Sequence, residues 1–187
     1  MLDTLLNYLS GGTVITIGVL FLLSLYLILS IWIFMYKYIR LSNIISNEKN
    51  HLQHFLSGDS RINPLSQIGQ YVSNDHVNRE LLDVSHIVII KEASKGLYWQ
   101  SIFASTAPFI GLFGTVVGIL ESFAAFAGVS KVSFATIAPV ISEALVATAA
   151  GIFVATFAYT FHQILTHKLY ILDTHIKSQA KIILSRM

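Results

Sequence analysis

The sequence predicts an all-α integral membrane protein with three transmembrane helices and a helical cytoplasmic stalk. Of its 187 residues, 54% are apolar and 12% are charged, which leaves too little polar surface to cover a soluble globule of this size. Uncharged runs cover residues 4–36, 96–120 and 144–167, and each is long enough for a helix to cross the bilayer core. A net charge of +2 gives no reason to expect nucleic acid as a partner, and the lack of cysteine excludes disulfides and thiol catalysis.

The first span is predicted at residues 13–36, after a periplasmic N-terminus at 1–12. It is rich in Leu, Ile and Val on all sides, so lipid is expected on most of its faces. No basic region precedes it and no small-residue cleavage site follows it, so it is expected to be retained rather than cleaved as a signal peptide. Ser24 and Ser30 are expected to hydrogen-bond within the helix.

A cytoplasmic helical segment is predicted at residues 37–100. It reads as an amphipathic helix, IRLSNIISNEKNHLQHFL, a turn, SGDSRINP, and a second helical run from near Leu65 that could continue straight into the second span. Seven basic and six acidic residues give it no bias toward a polyanion. His51 and His54 share one helical face, but no further ligand completes a metal site, so a solvated face is the better interpretation.

The second span is predicted at residues 101–127, where small side chains recur at helical spacing and allow close approach of another helix. Pro108 is expected to kink this span because it removes one backbone hydrogen bond. The third span is predicted at 134–165, after a periplasmic turn at 128–133 and before a cytoplasmic C-terminal helix at 166–187. The residues expected to set the packing of the second and third spans are Pro108, Gly111, Gly114, Gly118, Pro139 and Gly151.

The basic residues predict the orientation of the chain in the membrane. None precedes the first span, seven lie in 37–100, Lys131 lies between the second and third spans, and four follow the third. By the positive-inside rule, the N-terminus and the turn near Lys131 lie outside, and the 37–100 segment and the C-terminus are cytoplasmic.

Glu143 is the one carboxylate within the apolar stretch of the third span. An ionisable side chain costs roughly 2.5–3.5 kcal/mol at the centre of a spanning helix, so a functional role is expected for it. Glu121 is expected at a similar depth if the hairpin turns at Lys131. It is a candidate second pore carboxylate, and the alternative is that it marks the outer membrane boundary. Replacing Glu121 by glutamine changes the pH dependence of function only under the first interpretation.

Thr115 and Thr148 are sixteen and seventeen residues from Lys131, so an antiparallel hairpin places them at nearly the same depth. In an oligomer, rings of such hydroxyls could hold water or carry a proton. Alternatively, each threonine bonds the carbonyl four residues earlier in its own helix.

Two stretches carry a resemblance to a known family. TAPFIGLFGTVVGI (106–119) and IAPVISEALVATAAG (137–151) resemble the paired signature of the TolQ/ExbB family of bacterial inner-membrane proton-channel subunits, and SIWIFMYKYIR (30–40) resembles the exit of that family's first helix. By position, the resemblance assigns Glu143, Thr115 and Thr148 to the proton pathway. Two departures are Glu121, where a neutral side chain is expected, and Val117, where the family has tryptophan; the cytoplasmic segment is also shorter.

The resemblance implies a homo-oligomeric ring, taken to be a pentamer, in the inner membrane. Its pore would be lined by the second and third helices and would hold a single-span TolR/ExbD-type partner with an intramembrane aspartate. A TolA/TonB-type protein would be a further partner. Protons are the transported ion, and no cofactor, metal or enzymatic step is expected. The implied function is conversion of the proton motive force into mechanical work on the cell envelope, either outer-membrane constriction or TonB-dependent uptake.

Two alternatives to this function stay open at the level of sequence. A flagellar MotA-like stator has similar pore helices, but that group carries four spans and a large cytoplasmic domain. A non-conducting membrane scaffold would also use faces of small residues. An intramembrane enzyme is disfavoured because the spans lack a nucleophile with its base and a sufficient set of metal ligands. The motifs do not separate a TolQ-type from an ExbB-type subunit.

Overall fold

The computed structural model describes residues 14–56, 66–72, 78–127 and 133–185. Within them the chain forms four α-helices, and three of these, α1, α3 and α4, are long and apolar enough to cross a membrane. The all-α class and the three candidate spans are therefore confirmed. The predicted segments 1–12 and 57–64 and all but the last residue of 128–133 lie outside the described residues. The helices are α1 (Val14–Leu56), α2 (Arg79–Ser94), α3 (Leu97–Phe126) and α4 (Phe134–Ser185).

The chain divides into two compact units, and α1 and α4 contribute residues to both. The first unit contains residues up to Trp32 together with Trp99–Phe161, and the second contains Ile33–Tyr98 together with His162–Met187. Each unit has its own buried core.

The first unit is built around small side chains of α3 and α4. Ala107 of α3 and Ala147 of α4 are fully buried at its centre. From α1, Val19 and Leu23 complete the core, while large apolar side chains on the other faces of α1 are exposed. Such bulk suits lipid, as the sequence predicts for this span.

Two serines of α1 differ in their bonding. Ser24 donates to the carbonyl oxygen of Phe21 at 2.7 Å, as expected for a bond within the helix. The expectation for Ser30 is wrong, because its hydroxyl donates to Oε1 of Gln100 at 2.6 Å and the Gln100 amide donates back to the Ser30 carbonyl oxygen at 2.6 Å. Both side chains are fully buried, and each satisfies the polar groups of the other.

The second unit has a core of branched aliphatic side chains. Leu165, Leu172 and Ile176 of α4 are fully buried, and they pack with Leu41 of α1 and Leu82 of α2. Their spacing along α4, of seven and then four residues, is that of a helix with one continuous apolar stripe. This unit therefore gains its stability from the burial of large apolar side chains.

The helical run predicted from near Leu65 into the second span is not continuous. Residues 66–71 form a bend and turns, and α2 begins at Arg79 after Asn78, whose side chain accepts a hydrogen bond from the Leu81 backbone N–H at 2.6 Å. A second break separates α2 from α3 at Gly96, whose φ of +92° is a conformation that favours glycine. The prediction failed here because the residues after Leu65 have helical periodicity but also contain both a helix cap and a glycine stop.

Candidate functional site

Helices α3 and α4 approach each other at two glycines, Gly111 and Gly151. A Cβ atom added to Gly111 would lie 2.6 Å from the carbonyl oxygen of Ala147, and one added to Gly151 would lie 2.6 Å from that of Ala107. Each glycine therefore faces the backbone of the opposite helix directly. The repeated pattern of alanine followed four residues later by glycine is the small-residue arrangement that allows membrane helices to touch.

One turn beyond this contact, the hydroxyls of Thr115 and Thr148 are in hydrogen-bond contact. The predicted depth match of the two residues is confirmed. Thr115 Oγ1 also lies 3.1 Å from the Ala144 carbonyl oxygen and 3.3 Å from that of Gly111, and Thr148 Oγ1 lies 3.3 Å from the Gly111 oxygen. The hydroxyls thus reach across to the other helix and are not limited to the carbonyl four residues earlier in their own.

The small face predicted on α3 is used within one chain. Ala107, Gly111, Gly114 and Gly118 are buried, and Thr115 is 8% exposed, whereas Thr148 is half-buried. The two hydroxyls therefore lie at the seam between α3 and α4, with Thr148 closer to the surface.

Glu143 lies on α4 five residues, about one and a half turns, before Thr148, and its side chain is half-buried. Its Oε1 atom is buried and has no hydrogen-bond partner among the described residues. Beside it lies a small cavity that is also lined by Thr16 and Ser122. Glu143 is thus a carboxylate whose buried oxygen is not fixed by a partner in the described chain.

Glu121, the candidate second pore carboxylate, is half-buried near the C-terminal end of α3. Its Oε2 atom is also buried, with no hydrogen-bond partner among the residues that the structure describes. It does not line the cavity beside Glu143.

The remaining residues predicted to set packing fall into two groups. Gly114 and Gly118 lie where α1 meets α3: a Cβ added to Gly114 would be 3.0 Å from Cγ1 of Val19, and one added to Gly118 would be 3.4 Å from Oγ1 of Thr16. Pro108 and Pro139 lie inside α3 and α4, and both helices continue through them.

Sequence analysis missed a buried carboxylate in the second unit. Glu48 of α1 is 1% exposed; its Oε1 accepts from the Gln67 backbone N–H and its Oε2 from Nε2 of Gln179, both at 2.8 Å. Nε2 of Gln179 also lies 3.1 Å from the Glu48 carbonyl oxygen. The sequence feature that could have indicated a buried polar contact here is Gln179, because it follows Leu165 and Leu172 at the same seven-residue spacing in an apolar stripe.

A second missed cluster joins α2 to α4. Nε2 of His86 lies 2.6 Å from Oδ1 of Asp173, and Nζ of Lys177 lies 2.7 Å from Oδ2. Burial acts to raise the pKa of Asp173, but the hydrogen bonds with Lys177 and His86 outweigh it, so the pKa lies below its ordinary value of 3.8.

Comparison with known proteins agrees with this geometry. The model of the MotA/TolQ/ExbB proton channel family matches residues 34–178. A Helicobacter pylori protein named ExbB-like 1, a biopolymer transport protein by its description, is 40% identical over the full length of both chains. The chain belongs to the MotA/TolQ/ExbB proton channel family. Members of this family are proton-channel and transport subunits and not enzymes.

Partial matches link the chain to both branches of the family. The Tol-Pal system protein TolQ of Pseudomonas aeruginosa is 41% identical over 87 residues, which cover 45% of this chain and 38% of that protein. The biopolymer transport protein ExbB of Pseudomonas putida is 42% identical over 74 residues, which cover 40% of this chain and 22% of that protein. This MotA/TolQ/ExbB family member is a membrane protein with three candidate spans, and it resembles the ExbB-like protein over the full length of both chains.

Proposed function

We propose that the chain is the proton-channel subunit of a TolQ–TolR or ExbB–ExbD type complex that converts the proton motive force into mechanical work on the cell envelope. The observation that carries this proposal is the polar set on α3 and α4, in which Glu143 lies five residues before Thr148, whose hydroxyl contacts that of Thr115. A carboxylate within a membrane-spanning segment is costly to insert, and such residues mark ion and proton pathways.

The hydroxyl pair suits proton movement because its hydrogen bonds can be rearranged. Each threonine has one proton to donate, and the Gly111 carbonyl oxygen is within 3.3 Å of both hydroxyls. The protons can therefore be distributed in more than one way without moving a heavy atom. A carboxylate whose buried oxygen is not fixed by a partner in the described chain can likewise change its protonation without breaking such a bond.

The charge of the spans supports an acidic single-span partner and a ring. Residues 13–36, 101–127 and 134–165 contain no lysine or arginine, so nothing within the spans neutralises Glu143. A ring of such subunits, a pentamer as in the related complexes, favours cations in its pore. An aspartate on a TolR/ExbD-type helix could then exchange protons with successive subunits, in the inner membrane and with the N-terminus periplasmic.

The Glu143→Gln variant tests the proposal when the chain is co-reconstituted into proteoliposomes with its single-span partner. We expect assembly and partner binding to persist while proton flux falls at least tenfold, because glutamine cannot carry the proton. Thr148→Val should reduce flux to a lesser or equal extent. Thr156→Val is the matched control, since the exposed Thr156 hydroxyl donates only to the Ile152 carbonyl oxygen of its own helix, at 2.9 Å. Normal flux in Glu143→Gln contradicts the proposal.

Complementation separates the two branches of the family. In a strain without the chain, its return should restore outer-membrane integrity if the complex is of the TolQ–TolR type, and TonB-dependent uptake if it is of the ExbB–ExbD type. Glu121 stays a prediction as a second pore carboxylate.

A further inference from the structure

A small cavity lies beside Glu143 within a single chain, bounded by all three membrane-length helices. It has a volume of about 10 Å³, which is room for one water molecule. Its lining residues are Thr16 of α1, Gly118 and Ser122 of α3, and Val140, Glu143 and Ala144 of α4.

Three polar groups border this space. Oε1 of Glu143 is buried and has no hydrogen-bond partner in the described part of the chain. The Ser122 hydroxyl donates to the Gly118 carbonyl oxygen at 2.7 Å, so its lone pairs remain available as acceptors. The Thr16 hydroxyl lies 3.4 Å from the position that a Gly118 Cβ would occupy, which places it at the cavity wall.

A buried carboxylate oxygen without a partner is unfavourable, because it has lost its hydration and gained nothing in return. A single water restores the lost bond, and a water in a buried site needs two to four polar neighbours, which these three groups supply. Water also suits both protonation states of Glu143, because it can donate to Oε1 when the group is a carboxylate and when Oε1 is the carbonyl oxygen of an acid protonated on Oε2.

We propose that this cavity binds one water molecule that holds Oε1 of Glu143, with Ser122 and Thr16 as positioning residues for the carboxyl group. The inference rests on the proposed function of Glu143 in proton movement. It assigns the two carboxyl oxygens different tasks: Oε1 is anchored inside the protomer, and Oε2 is left to exchange protons with the pore. The first span then contributes to the site through Thr16 and is more than a lipid-facing layer.

The Gly118→Ala variant tests this site. The added methyl group would lie 3.4 Å from Thr16 Oγ1 and 3.5 Å from Ala144 Cβ, which are ordinary contacts, so the helices should pack as before while the cavity is filled. Gly18→Ala is the matched control, because nothing lies within 4 Å of a Cβ added there. Ser122→Ala removes one water partner without filling the space, and Ser122→Thr keeps the hydroxyl.

The measurement is the infrared C=O band of protonated Glu143 in the reconstituted complex, assigned by its loss in Glu143→Gln. We expect the band to move to higher wavenumber in Gly118→Ala and Ser122→Ala and to stay in place in Gly18→Ala and Ser122→Thr. Flux should fall several-fold in the first two variants. An unmoved band in Gly118→Ala overturns the water site, and if that variant fails to assemble, an unmoved band in Ser122→Ala does so. Normal flux in Glu143→Gln contradicts the proposed function instead, since the band is read independently of transport.

Discussion

Each unit of the molecule contains a buried glutamate oxygen, and the two carboxylates are held differently. In the second unit, Glu48 is 1% exposed and both of its oxygens accept hydrogen bonds at 2.8 Å. In the first unit, Glu143 is half-buried and its buried Oε1 has no partner within the described chain. A carboxylate whose two oxygens both accept hydrogen bonds from the protein is fixed in place, whereas one whose buried oxygen meets no group of the described chain needs another partner, such as water.

The two units also differ in how their helices pack. Small residues let the backbones of α3 and α4 touch in the first unit, where lipid would offer no hydrophobic drive for helices to associate. The second unit buries leucine and isoleucine, as expected where water drives association. Packing therefore depends on close backbone contact in one unit and on apolar burial in the other.

The largest effect is expected from Gly111→Ala or Gly151→Ala. Either methyl group would lie 2.6 Å from a backbone carbonyl oxygen, so α3 and α4 must separate. Overpacking of this kind costs about 1–3 kcal/mol or more. We expect a lower midpoint of thermal unfolding in detergent and weaker assembly, with Gly18→Ala as the control. Unchanged stability in these variants would show that the first unit does not require close contact between the backbones of α3 and α4.

A smaller effect is expected at Glu48, and it separates the two carboxylates directly. Glu48→Ala leaves the Gln67 N–H and the Gln179 amide without their acceptor, which costs about 1–3 kcal/mol for each group left unsatisfied. Glu48→Gln keeps one acceptor oxygen and should lower stability less. Proton flux per assembled complex should stay normal in Glu48→Gln and fall in Glu143→Gln. Equal loss of flux in both variants would remove the functional distinction between Glu48 and Glu143.

The smallest effect on stability is expected from protonation of Asp173 at low pH. Because its pKa in the folded chain is below the ordinary 3.8, its stabilising contribution is complete above that value and is lost as the pH falls through the folded pKa. The free energies of unfolding of the parent and of Asp173→Asn should therefore differ at neutral pH and converge as the pH falls below the ordinary 3.8 and through the folded pKa. A difference that persists unchanged at low pH would show that the contribution of Asp173 is not ionic.

The spans and the hydroxyl pair could be predicted because both follow from periodicity and length. Thr115 and Thr148 meet because equal distance from a hairpin tip places residues at equal depth. The pair of Ser30 and Gln100 could not be predicted, since nothing local to Ser30 indicates a partner seventy residues away. The break at Gly96 depends on a single positive φ within an otherwise helical pattern.

The contact between Glu48 and Gln179 also determines how the helices of the second unit align. Leu165, Leu172 and Gln179 repeat every seven residues, so a slip of one repeat would still bring an apolar stripe against α1. In the direction that brings Leu172 opposite Glu48, however, the slip would leave Oε2 of this buried side chain without its Gln179 donor, which is unfavourable. Polar residues in such a stripe select one register among those that the leucines allow. The contact between Glu48 and Gln179 therefore disfavours a slip of α4 toward Leu172 and favours the observed alignment of α1 with α4.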